Sequence, residues 1–157
     1  MLSFLFFNNI KRCVEKILIS TFIEVSNFYR LKMERTVIVK ENECTWEFDP
    51  EFPGLKYKLL IDSTKINNHG LSLGSVELLP GGELPLHHHS PQEIYIIRKG
   101  IGLLLSKTET KEVFPETSIY IPKNEKHGLR NIGDDNLLIY WIFPTDCWAD
   151  VKYLYGD

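Results

Sequence analysis

A chain of 157 residues, 43% hydrophobic and 25% charged, has the size and composition of one ordinary globular domain. A net charge of −3 leaves no broad basic surface for nucleic acid, and no apolar run approaches a membrane span. Cys13, Cys44 and Cys147 are far apart and form no C-x-x-C pair, so neither a disulfide framework nor a thiolate zinc site is indicated. Each is expected to be a buried thiol, in a protein of the reducing cytoplasm.

Residues 1–32 differ from the rest. Five basic residues (Lys11, Arg12, Lys16, Arg30, Lys32) and two acids (Glu15, Glu24) give them a charge of +3, against −6 for the remainder. Ile10, Val14, Ile17, Leu18, Phe22, Val25 and Leu31 recur at roughly helical spacing. The positive charges follow the apolar start and no small-residue cleavage pattern is visible, which argues against a secretory signal. A loosely packed helix, a surface-binding helix and translated sequence upstream of the true start are the open readings. The last is preferred, because "MERTVIVKENE" from Met33 is an ordinary opening for a strand-rich domain. The expected organisation is an N-terminal extension over 1–32, helical or disordered, and one domain over 33–157.

After Met33 short strands are expected at 36–39, 45–48, 57–61, 70–79, 93–98, 101–106, 111–114, 118–121 and 137–143. Turn chemistry separates them at "PGGE" (80–83), "RKG" (98–100), "PKNEKHG" (122–128) and "NIGDDN" (131–136). Many short, closely spaced strands without an internal repeat predict an all-β fold, a single jelly-roll barrel of about 120 residues.

Three of the five histidines stand together in "GGELPLHHHSPQEIYIIRKG" (81–100). On a strand His87 and His89 share one face and His88 takes the other; Glu93 and Tyr95 share a face in the same way. A bend at 90–92 brings the two pairs together inside a barrel, and His127 supplies a fourth ligand from across it. Three neutral imidazoles and a carboxylate suit one divalent transition metal: Fe, Mn, Ni, Co or Zn. Spacing alone leaves a solvated His loop as an equal alternative.

The first segment has the pattern G-x5-H-x-H-x3-E-x6-G at Gly81, His87, His89, Glu93 and Gly100. The second, G-x5-P-x-G-x2-H-x3-N, is met at Pro122, His127 and Asn131, with Glu116 and Asn124 in place of its glycines. These two motifs, 15 residues apart (101–115), resemble those of the cupins. The resemblance implies a metal-binding core over about 70–145 with His87, His89, Glu93 and His127 as ligands.

A narrower likeness joins "GLSLGSVELLPGGELPLHHHSPQEIYII" (70–97), "YWIFPTDCWADVKY" (140–153) and "FPGLKYKLLID" (52–62). These stretches resemble the small single-cupin dimethylsulfoniopropionate lyases. That family implies Tyr95 as base and Tyr120 and Tyr153 as substrate-lining residues; His88 stands where relatives carry Tyr. Trp141, Tyr120 and Tyr153 offer aromatic faces to a sulfonium, each contact worth about 0.5–2 kcal/mol. The expected reaction is elimination of dimethyl sulfide from a small β-substituted acid whose carboxylate the metal binds. Other metal-dependent chemistry, as in a dioxygenase or isomerase, and non-catalytic binding of a small carboxylate are the alternatives. The expected partners are a small-molecule carboxylate and a second copy in a homodimer.

Overall fold

The computed structural model describes residues 36–156. The N-terminal extension expected over 1–32 lies outside the described residues, as does Cys13. Short runs alternating between apolar and polar residues form strands because period two sends successive side chains to opposite sheet faces. The strands are β1 (Glu47–Phe48), β2 (Leu55–Ile61), β3 (Ser72–Leu78), β4 (Glu83–His88), β5 (Glu93–Lys99), β6 (Gly102–Ser106), β7 (Thr110–Val113), β8 (Ser118–Ile121), β9 (His127–Asn131), β10 (Leu137–Phe143) and β11 (Leu154–Tyr155). One sheet has the order β1-β2-β3-β10-β5-β8 and the other β11-β4-β9-β6-β7. All neighbours are antiparallel, which makes the two sheets a jelly roll.

The core lies between the sheets. β10 shows the alternation most plainly, with Leu137, Ile139, Trp141 and Phe143 buried and Leu138, Tyr140 and Ile142 half-covered. Leu78, Ile97 and Leu129 from β3, β5 and β9 are fully buried in the same cluster.

The strand expected at 36–39 does not form. Val37 and Ile38 are exposed and the backbone there has no regular structure, so the β-branched run pairs with no strand of either sheet. A short 3-10 turn, Glu41–Glu43, follows; its Glu41 carbonyl accepts a bond from Lys58 Nζ at 2.8 Å, and its carboxylate accepts one from Tyr140. The turn expected over 122–128 ends at 126, and His127 already belongs to β9. "HGLRN" contains Gly and Asn, both poor strand formers, so its pattern alone does not mark a strand. Cys44 and Cys147 are free and half-buried rather than buried. Among the described residues no helix is long and apolar enough to cross a membrane.

Both replaced motif glycines sit where glycine geometry is demanded. Thr117 N bonds Phe114 O at 3.2 Å, so Pro115 and Glu116 are the central residues of a turn, and Glu116 has φ 71°. Glu125 N bonds Pro122 O at 3.2 Å, and Asn124 has φ 60°. Asn tolerates that conformation; Glu pays the Cβ penalty of about 1–2 kcal/mol. Glycine relieves it at some cost in unfolded-chain entropy. Glu116→Gly is therefore expected to stabilise the fold by about 0.5–1 kcal/mol, read as a higher urea midpoint at unchanged slope. A lower midpoint contradicts this account.

Candidate metal centre

Three strands and the turn after β4 deliver the candidate ligands. His87 lies on β4 facing inward, and His89 follows just past the strand end. His127 opens β9 and is the cross-strand partner of His87. Glu93 opens β5 in the opposite sheet, with Tyr95 two residues on and inward again. The expected fourth ligand, His127, thus comes from the strand next to His87, and Glu93 is the residue that reaches across the barrel. All five side chains are almost fully buried, each at most 2% exposed. His88 is half-buried, as its place on the other face of β4 requires.

The three imidazoles converge, with ligand atoms of His87, His89 and His127 within 4.8 Å of one another. They are positioned to hold a metal ion. Each ring is fixed from behind. Nδ1 of His87, His89 and His127 lies 2.7, 2.8 and 2.8 Å from the carbonyl oxygens of Pro85, Pro91 and Glu125 respectively. A carbonyl only accepts, so Nδ1 carries the proton, and in the neutral ring Nε2 presents a bare lone pair. Glu93 Oε2 lies 3.1 Å from Nε2 of both His89 and His127. Acceptor then faces acceptor, and a cation between them resolves the conflict. His87 Nε2 is buried without a hydrogen-bond partner, a further lone pair suited to a metal. The residues present therefore fit a divalent ion.

Electrostatics point the same way. Burial, then the neighbouring His127, lowers the His87 pKa to about 3, so the ring is neutral and ready to ligate near pH 7. Burial, then the Glu93 carboxylate, raises the Tyr95 phenol well above its ordinary value, and its hydroxyl has no hydrogen-bond partner.

A cavity of about 210 Å³ opens onto this centre. That is below the roughly 300–1,000 Å³ of pockets for drug-sized ligands, so it favours a small one. Glu93 and Tyr95 form its buried end; Phe52, Tyr57, Trp141, Trp148, Tyr153 and Tyr155 are its aromatic walls; Asp49 and Glu51 stand at its exposed end. Trp141 fits because its cross-strand partner is Gly74, where a Cβ would lie 2.3 Å from the indole. Tyr153 stacks on His87 at 4.7 Å and 30°, and its hydroxyl accepts a bond from Trp148 Nε1 at 3.1 Å. Trp148 is held in turn by buried Asp62, whose Oδ2 accepts the Trp148 backbone N–H at 2.8 Å.

The structure brings His87, His89, Glu93, His127, Tyr95, Trp141 and Tyr153 together, and leaves Tyr120 out. Tyr120 is 63% exposed and reaches only Gln92, because Ile119 and Ile121 take the inward positions of β8. Tyr57, Trp148 and Tyr155 were not legible as wall residues. Only the two-residue spacing of Tyr153 and Tyr155 hinted at a shared face.

The cupin-domain family profile matches residues 74–143, the stretch that carries both motifs. The chain belongs to the cupin superfamily. Within it the chain is 27% identical over 105 residues to dimethylsulfoniopropionate lyase DddW of Ruegeria pomeroyi, covering 67% of this chain and 68% of that one. It is 28% identical over 99 residues to auxin-binding protein 1 of Arabidopsis thaliana, 57% of this chain and 50% of that protein. Among solved structures, the polyketide cyclase RemF of Streptomyces resistomycificus superposes with a TM-score of 0.67 at 21% identity, over 78% of this chain and 88% of that one. At that identity the likeness concerns the fold alone.

Two outcomes are expected. Glu93→Ala retains less metal than the native chain after dialysis, by elemental analysis, since it loses the carboxylate at 3.1 Å from two of the ring nitrogens; equal retention rejects Glu93 as a ligand. The second concerns pH. His87 titrates near 6.5 when unfolded and at about 3 when folded, so between these values the unfolded chain binds more protons. Stability of the metal-free protein is then fully present above about pH 6.5 and falls on acidification toward 3, by on the order of a few kcal/mol. Urea midpoints at pH 7 and 4.5 should differ less in His87→Gln than in the native chain.

Proposed function

We propose that this cupin is a metal-dependent lyase that eliminates dimethyl sulfide from dimethylsulfoniopropionate or a similar small β-substituted acid. The observation that carries the reading is the Tyr95 hydroxyl, buried and without a hydrogen-bond partner, beside Glu93 at the closed end of a small aromatic cavity. The likeness to DddW supports it. His87, His89, Glu93 and His127 would hold the metal. When bound, it supplies Lewis acidity toward the substrate carboxylate and positive charge that favours the Tyr95 phenolate. Tyr95 takes the proton from the carbon next to the carboxylate. That C–H pair becomes the new C=C bond, and the C–S pair leaves on dimethyl sulfide. Trp141, Tyr153 and the other rings attract the sulfonium and keep water out. Tyr120 has no part in this scheme.

A second reading has its own support. Burial and Glu93 both favour the neutral phenol of Tyr95, which suits a hydrogen-bond donor in a non-catalytic site for a small carboxylate. The match to an auxin-binding protein accords with that class. The proposal also takes the protein to be a cytoplasmic homodimer, since pairing would cover the free edge strand β8.

Headspace dimethyl sulfide is the test, with the full chain loaded separately with Mn(II), Fe(II), Co(II), Ni(II) and Zn(II). Release is expected with at least one metal, and Tyr95→Phe should lose about 10²-fold or more of it. Folded, metal-loaded protein that is stabilised by dimethylsulfoniopropionate but releases nothing rejects the lyase and favours the binding protein.

A further inference from the structure

The cavity has two chemically different ends. Its closed end carries Glu93 and Tyr95 next to the histidine triad. Its open end carries Asp49 and Glu51, from the loop between β1 and β2. Those two acids belong to neither cupin motif, and the scheme above does not use them. Glu47, two residues before Asp49, has a cationic partner in Lys65 at 3.4 Å. Among the described residues no Lys, Arg or His lies in an ion pair with Asp49 or Glu51; the Asp49 carboxylate accepts the Glu51 backbone N–H at 2.9 Å. Their charge is felt on the cavity wall. Asp49 and Glu51 raise the Tyr155 phenol pKa after burial itself, and Asp49 adds to the rise at Tyr57 behind burial and Glu47. A second observation marks the same cavity as a ligand site: Tyr95, 1% exposed, lines it next to Glu93, and its hydroxyl makes no hydrogen bond of ordinary geometry.

We propose that Asp49 and Glu51 are specificity-determining residues, an anionic collar that makes the cavity choose a cationic head over a neutral one of the same shape. The inference rests on the small-carboxylate reading above. Ring faces alone attract a cation weakly and accept a neutral alkyl group nearly as well. Two uncompensated carboxylates at the open end add an attraction that a neutral head cannot draw on, in a setting screened less than bulk water. They also repel a second carboxylate on the ligand. With the triad at the closed end, the charge arrangement fixes direction: carboxylate inward, cation toward the collar. The ligand class is a short zwitterion with an onium head a few bonds from its carboxylate.

The test is a binding comparison that needs no turnover. Full-length protein loaded with Zn(II) is titrated with 3-(trimethylammonio)propanoate and with its neutral isostere 4,4-dimethylpentanoate, by calorimetry. The onium is expected to bind at least about tenfold more tightly. In the double variant Asp49→Asn, Glu51→Gln the preference should shrink to about threefold or less, with the isostere binding as before, which also reports an intact fold. Equal binding of the two by the native chain overturns the inference, and so does a preference that survives in the variant. If neither carboxylate binds, the small-carboxylate reading itself falls and this inference with it. If the onium is preferred but dimethylsulfoniopropionate yields no dimethyl sulfide, only the lyase falls.

Discussion

A carboxylate oxygen of Glu93 facing two imidazole nitrogens at 3.1 Å is the constraint around which this barrel is organised. Three backbone carbonyls hold the Nδ1 protons and so turn every Nε2 lone pair inward. Buried acceptors facing one another are costly unless a cation or an extra proton joins them. The cluster is therefore the least self-sufficient part of the core and the part best prepared for a metal. Burial and the neighbouring His127 lower the His87 pKa to about 3, so its ring is neutral near pH 7, the form that ligates a metal.

The rest of the fold serves that arrangement. Glu93 and the triad lie on opposite sheets, so the site exists only when the two layers close on each other. Asn124 N donates to His89 O at 2.9 Å, tying the second-motif turn to the loop after β4. Beyond β10 the chain crosses back with Trp148 and Tyr153, anchored by Asp62 and Asn68, which bonds Asp146 O at 2.7 Å. Tyr153 and Tyr155 then reach the rings of the triad. This crossing walls the cavity beside the histidine cluster.

The relatives include a lyase and an auxin-binding protein, and the superposed structures a cyclase, which separates what the barrel gives from what its lining gives. Strand order and the histidine cluster suit many reactions. Ring faces, a buried phenol and acidic residues line the cavity beside the histidines, and the proposals above rest on that lining.

The sequence by itself determined the all-β class and most strands, because period-two alternation is a local property that survives without coordinates, and the likeness of its two motifs to those of the cupins marked the four candidate ligands. It also placed Glu116 and Asn124 at glycine positions, which the turns keep at positive φ. Only the tertiary structure decided which aromatics line the cavity. Tyr120 and Tyr153 look equally suitable in the chain, yet β8 turns Tyr120 to the surface while the crossing segment lays Tyr153 over His87. It likewise placed His127 beside His87, set Glu93 opposite, and brought Asp49 and Glu51 to the cavity's open end. These are contacts between residues remote in sequence, fixed by sheet order and by the closing of two layers, and no local pattern encodes them.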